Sequence, residues 1–282
     1  MKLEKLLAKG RYNEVYRSGD LAVKVFNDGY SKVDVFTEAL IAASVESLDL
    51  NTPKIMDVTQ IDGKWAISME CVEGKTISQL IEENPADTEK YVDMMVDIQI
   101  DMFSKKCPSL RKLKAKITDR INKAPIDDAK KYELLSTLES TPKHEKLCHG
   151  DFTPQNIIID KDGKAHIIDW NHATVGNASA DVARTYLWLS LYNEKIADMY
   201  MNKFCDKTDT AKKYVQKWLP IVAAARMTKE VPEEKELLTI GTKIRSKANP
   251  DEILIIISND CHGDKFECAN GSVLSLKQIE KY

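Results

Sequence analysis

The sequence predicts an α+β chain, with strands concentrated in the first 70 residues and helices filling most of the remainder. Three observations predict it. Short alternating runs separated by turn residues occupy residues 1–70, with one helical stretch among them. Apolar residues then recur at three- and four-residue spacing through residues 77–140 and again through 180–248. Between those two blocks stands His149-Gly150-Asp151-Phe152-Thr153-Pro154-Gln155-Asn156. It is followed by the apolar runs Ile157-Ile158-Ile159 and His166-Ile167-Ile168 on either side of the turn Asp160–Lys164.

Taken in order, Leu6 to Arg17 reads as a strand, a turn at Gly10 and a second strand. Leu21 to Phe26 alternates, with Lys24 on the face opposite Val23 and Val25. Val33 to Leu48 has helical spacing, with Phe36, Leu40, Ala43 and Leu48 near one stripe and with Glu38 and Glu46 inside it. Ile55 to Val58 and Trp65 to Met69 predict two more strands joined at Asp62-Gly63, a pair that tolerates the positive φ of a tight hairpin. Thr76 is a candidate N-cap for the first helix of the next block. Within it Tyr91, Met94, Met95, Ile98 and Met102 form one stripe, and Leu110, Leu113, Ile117 and Ile121 another. Such stripes are most simply core. Lys105, Lys106, Arg111, Lys112, Lys114 and Lys116 read as a solvated face, and Pro108, Pro125 and Pro142 punctuate the segments. The second helical block carries Tyr186, Leu187, Leu189, Trp218, Leu219 and Val222 and ends at Pro250-Asp251. Beyond it Ile253–Ile257 reads as a buried strand, and Ala269–Ser272 as a turn before the strand Val273–Leu276.

Composition narrows the classes of function. The 282 residues are 43% hydrophobic and 30% charged, which suits a soluble protein with a sizeable core. A net charge of -3 supplies no basic field for a nucleic acid. The six cysteines are scattered and form no C-x-x-C pair, so reduced thiols in a cytoplasmic protein are the simplest expectation. No apolar run approaches the roughly 18 residues of a membrane span, and no secretion signal is evident.

The chemistry concentrates on the central hairpin. Asp151 and Asn156 precede its first strand and Asp169 ends its second. Phosphoryl transfer calls for this set: a carboxylate to orient an attacking hydroxyl, and an amide and a second carboxylate as hard oxygen ligands for Mg²⁺. Alone, each residue is an ordinary turn former; it is the joint order and spacing that point to a site. A second triplet, His262-Gly263-Asp264, lacks the pattern, because Ala269 stands where an Asn is needed. Cys261, His262 and Cys268 have no fourth ligand at a structural-zinc spacing.

The stretch His149-Gly150-Asp151-x-x-x-x-Asn156 with Ile168-Asp169-Trp170 resembles the catalytic and metal-binding loops of the aminoglycoside phosphotransferase and choline kinase family. The resemblance covers about residues 8–230 and is strongest over 147–183. It implies a two-lobe protein-kinase-like fold: a small antiparallel-sheet N-lobe (1–73), a mostly helical C-lobe (74–249) and an extension (250–282) outside the match. It implies ATP and Mg²⁺ as cofactors and a hydroxyl of a small molecule as acceptor. Asp151 would be the catalytic base, and Asn156 and Asp169 the metal ligands. Lys24, in Val23-Lys24-Val25, resembles the strand lysine that binds the α- and β-phosphates, and Glu38 its helix partner, with Glu46 as the alternative. Met69 to Thr76 resembles the hinge, so backbone groups of Glu70, Cys71 and Val72 would meet the adenine edge. Ala173, Gly176 and Asp181 fit the spacing after the metal loop, and Asp181 would brace the catalytic loop from below. Gly150 stands where protein kinases place an Arg, and no A-P-E sequence comes after it, which favours a small molecule over a protein as acceptor. Acidic and basic residues are roughly balanced over 171–250, so charge counting leaves an amino alcohol, a sugar and an antibiotic all open. An atypical protein kinase and a non-catalytic nucleotide-binding module are the competing expectations.

Overall fold

The computed structural model describes residues 1–228 in full and, beyond them, the backbone of six short strands. β1 (Lys5–Lys9), β2 (Asn13–Ser18), β3 (Leu21–Phe26), β4 (Ile55–Ile61) and β5 (Lys64–Glu70) form one antiparallel sheet in the order β1-β2-β3-β5-β4. Asp62 and Gly63 turn the last hairpin with φ of 49° and 81°, the backbone that their side chains were expected to permit.

α1 (Lys32–Glu46) crosses between β3 and β4 and packs against the sheet through Val35 and Ala39, while Val45 joins the large helical core. The expected stripe is out of phase. Phe36 and Leu40 are 46% and 68% exposed, and Phe36 instead lies edge-on to Trp65. The small Ala39 lets the helix approach the sheet closely, and its neighbour Glu38 is carried inward with it.

The next block is helical, as its spacing predicts. β6 (Lys75–Thr76) leads into α2 (Ile77–Glu83), where Thr76 and Gln79 make a reciprocal capping box. α3 (Thr88–Ser104), α4 (Leu113–Lys123) and α5 (Asp128–Ser140) complete it. On α3 the buried face is Val92, Met95, Val96, Gln99, Met102 and Phe103, one step round from the predicted methionine stripe. β7 (Lys146–Cys148) enters the catalytic stretch, β8 (Ile157–Ile159) and β9 (Ala165–Ile167) form the predicted hairpin, and β10 (Thr174–Gly176) returns to pair with β7. α6 (Ala178–Tyr192), α7 (Glu194–Thr208), α8 (Lys212–Gln216) and α9 (Leu219–Met227) close the large core, which joins α3, α4, α6 and α9 to the strands under the catalytic stretch.

After α9 come β11 (Ile244–Ser246), β12 (Ile253–Leu254), β13 (Ile256–Asn259), β14 (Lys265–Cys268), β15 (Val273–Ser275) and β16 (Ile279–Lys281). β11 corrects the expectation of helix up to residue 248: it pairs with β12 and β16. The strand expected over 253–257 is two short strands in different sheets. The Pro250-Asp251 break, the turn at 269–272 and the His262-Gly263-Asp264 triplet lie outside the described residues. The four described cysteines, Cys71, Cys107, Cys148 and Cys205, are free, and no described helix is long and apolar enough to cross a membrane.

Candidate active site

Three elements bring the predicted residues to one cleft. Lys24 projects from the middle of β3, where its side chain is 8% exposed, and its Nζ lies 2.5 Å from Glu38 Oε1 and 3.0 Å from Asp169 Oδ1. Burial alone would favour loss of its proton, but the Asp169 and Glu38 carboxylates overcome that and hold its pKa above the ordinary value. The alternative partner, Glu46, is occupied elsewhere: its Oε2 accepts the Ile55 N–H at 3.0 Å.

Asp169 sits just past β9 with φ 62° and ψ 59°, a left-handed conformation uncommon outside glycine. The Ile168 N–H bonds to the Asn156 carbonyl at 3.0 Å and ties the two candidate metal loops together. Asn156 Nδ2 donates to the Asp151 carbonyl at 2.8 Å, which leaves Oδ1 as an acceptor. Asn156 and Asp169 are hard oxygen donors that fit Mg²⁺. No group of three His, Cys, Asp or Glu side chains among the described residues could hold a metal ion.

The catalytic stretch is braced from beneath. Asp181, fully buried on α6, accepts the His149 N–H at 3.1 Å, the Gly150 N–H at 2.6 Å and Gln99 Nε2 at 3.2 Å. Tyr200 on α7 donates its hydroxyl to Gln99 Oε1 and fixes which way that amide points. Burial pulls the His149 pKa down; the neutral ring accepts the Asp151 N–H at Nδ1 (3.2 Å) and donates from Nε2 to the Ile168 carbonyl (3.0 Å). Gly150 has φ 77°, and a Cβ there would stand 2.5 Å from the His172 carbonyl oxygen, so no larger residue fits. That same carbonyl accepts Lys116 Nζ at 2.8 Å, which removes Lys116 from the solvated face expected for α4.

At the hinge, the Glu70 and Cys71 N–H groups are already bonded to the Lys54 and Asp20 carbonyls, at 3.0 and 3.1 Å. Of the three residues expected to meet adenine, Val72 therefore keeps a backbone donor. A groove of about 1090 Å³ runs behind the hinge and the β8–β9 turn, past Asn51, Glu70, Gly74 and His166. Glu70, Cys71 and Val72 of the hinge line it, whereas Lys24, Asp151, Asn156 and Asp169 do not.

A family model for phosphotransferase enzymes matches residues 4–214, three quarters of the chain. The chain belongs to the phosphotransferase enzyme family. Solved structures agree on the fold of this phosphotransferase. A thermostable mutant of aminoglycoside phosphotransferase APH(4)-Ia in ternary complex with AMP-PNP and hygromycin B superposes with a TM-score of 0.64 at 13% identity, over 83% of this chain and 89% of that one. An aminoglycoside-3'-phosphotransferase of type VIII gives 0.55 at 17% identity, over 78% and 92%. The choline kinase LicA from Streptococcus pneumoniae gives 0.57 at 15% identity, over 83% and 86%. No curated protein matches the sequence. The two-lobe protein-kinase-like fold that the His149–Trp170 resemblance implied is therefore the fold of this phosphotransferase.

Sequence reasoning missed the surroundings of Asp151. Arg184 Nη2 on α6 and Arg226 Nη1 on α9 lie 3.5 and 4.0 Å from its Oδ1. Arg120 on α4 stands within electrostatic reach of both and of Asp151. A signal was present: Arg226 is the lone cation in the apolar run Leu219–Met227, and Arg120 sits directly before the buried Ile121.

Proposed function

We propose that this phosphotransferase moves the γ-phosphoryl group of ATP to a hydroxyl of a small molecule. The observation that carries the reading is Lys24, which joins Glu38 on α1 to Asp169 on the metal loop, 145 residues away in sequence. In this reading Lys24, oriented by Glu38, contacts the α- and β-phosphates, and the hinge near Val72 receives the adenine edge. Asn156 and Asp169 hold Mg²⁺, which when bound screens the phosphate charge. Asp151 accepts the proton of the acceptor hydroxyl as its oxygen bonds to the γ-phosphorus. The bond from that phosphorus to the β–γ bridging oxygen breaks, and ADP leaves with the electron pair. Most of the gain comes from positioning and fixed charge. We place the reaction in the cytoplasm; four free thiols suit a reducing compartment.

The acceptor is taken to be a small molecule because Gly150 leaves no room for the side chain protein kinases carry there. The test is ADP formation from ATP and Mg²⁺ with hygromycin B, choline, simple sugars, hydroxy acids and a generic protein substrate. Turnover with a small alcohol is expected. Labelling of protein with every small alcohol inert would overturn the proposal.

A further inference from the structure

The side chains around Asp151 speak to the acceptor's charge. Arg184 and Arg226 lie 3.5 and 4.0 Å from that carboxylate, and Arg120 stands within electrostatic reach of it. The other carboxylate nearby, Asp181, is engaged by two backbone N–H groups and Gln99. Arg111, on the rim, is paired with Asp119, and Lys116 is bonded to the His172 carbonyl. Arg226 has further partners as well. Arg226 aside, Arg120 and Arg184 bring two positive charges to the single carboxylate of Asp151.

Arg184 is also held where water cannot satisfy it. Nε and Nη2 of Arg184 are buried, and neither makes a hydrogen bond among the described residues. Burial, with Arg184 next in weight, pulls the Arg120 pKa down to about 10, so at neutral pH it remains a cation in an unfavourable place. Desolvated like charges are costly unless an anion joins them, and guanidinium forks suit carboxylate and phosphate oxygens. α9 packs on both α4 and α6, so these helices meet on the side of Asp151, whereas Lys24 meets Asp169 on the proposed nucleotide side.

We infer that the acceptor alcohol carries an anionic group, a carboxylate or a phosphate, bound by Arg120 and Arg184 beside Asp151. This rests on the phosphotransferase reading above and narrows its acceptor. An aminoglycoside or choline would bring a further cation to a site where two arginines already face one carboxylate.

The test compares acceptors of matched skeleton with ATP and Mg²⁺: glycerol, glycerate and glycerol 3-phosphate; glucose, gluconate and glucose 6-phosphate; and choline and hygromycin B. The expected result is ADP formation with anionic members only; the carboxylate and phosphate arms tell which anion is read. Arg120→Gln and Arg184→Gln should each raise the KM for that acceptor by roughly tenfold or more, as loss of a charge-assisted hydrogen bond predicts, with the KM for ATP unchanged. Arg120 is only half buried, so its variant keeps the test decisive if Arg184→Gln fails to fold. Phosphorylation of choline or hygromycin B with the anionic members inert overturns the inference and leaves the phosphotransferase reading standing. So does a fall in kcat in both variants with no change in the acceptor KM, which is what purely structural arginines would give. No ADP with any acceptor overturns both.

Discussion

Lys24 has two carboxylate partners before any nucleotide arrives, and both bear on what its replacement does. Lys24→Met would leave Glu38, 12% exposed, in a buried place without its cation. Breaking a buried pair from one side typically costs about 3–5 kcal/mol. We expect lower stability in urea denaturation together with at least about a tenfold loss of turnover. The double variant Lys24→Met/Glu38→Leu should recover much of the stability and none of the activity; recovery of neither would show that the ion pair does not set the stability of the lobe. Arg120 has the opposite sign. Its folded pKa lies below its unfolded value, so the protonated form is disfavoured on folding. That cost is present in full at neutral pH and is relieved only as pH rises past about 10. Arg120→Gln should therefore stabilise the protein at pH 7 by roughly 1–3 kcal/mol, allowing for partial solvent screening. Calorimetric unfolding should show a higher Tm, and a lower one would mean the guanidinium is satisfied.

Among the elements, the catalytic stretch is the one with the least latitude. Gly150→Ala places a methyl against the His172 carbonyl and puts an alanine at φ 77°. A non-glycine residue in that region typically costs about 1–3 kcal/mol, and relief would require the 150 and 172 loops to separate. The expected outcome is a folded protein with turnover down by roughly tenfold or more; unchanged kcat would show that the loops yield freely. This is also where the sequence was most legible. Asp151, Asn156 and Asp169 flank one hairpin, so their spacing could be read, whereas Asp181, on α6, was expected beneath them only from the resemblance. α1 was legible as a helix but not in phase. Its apolar residues Val33, Phe36 and Leu40 outnumber what the sheet can cover, and contact with the sheet chose Val35 and Ala39 instead. Glu38 was distinguishable from Glu46 only by resemblance, since both are acidic residues of one helix. The arginines around Asp151 were missed because they come from three helices spread over a hundred residues: Arg226 stands out in an apolar run, but nothing local relates the three.

For the whole molecule, the division of labour between two aspartates is the clearest test. Asp151 faces α6 and α9, and Asp169 faces Lys24. Asp151→Asn should bind Mg²⁺-ATP almost normally while losing about 10²–10⁴ in rate. Asp169→Asn should lose Mg²⁺-dependent affinity as well. Because the chain offers an amide and one carboxylate, Mg²⁺ alone should give no measurable heat in titration calorimetry, and heat should appear only with ATP present. Abolished Mg²⁺-ATP binding in Asp151→Asn, with Asp169→Asn unaffected, would reverse the two roles. The division into a sheet lobe and a helical lobe was readable because periods of two and of 3.6 occupy separate stretches. The strand at 244–246 was not, since it is three residues long and owes its state to partners at 253 and 279.

Gln99 has an amide that presents a donor on one side and an acceptor on the other, and only one orientation suits a carboxylate. The Asp181 carboxylate, an acceptor only, selects that orientation, and the Tyr200 hydroxyl donates to the amide oxygen on the other side. A phenol on α7 therefore reinforces the orientation in which Gln99 attracts Asp181. Rotation of that amide would set two oxygens against each other in a dry interior and loosen the hold on the His149 and Gly150 N–H groups. The hold on the 149–150 backbone thus extends, through one amide, to a phenol on a helix that does not touch that loop's own hydrogen bonds.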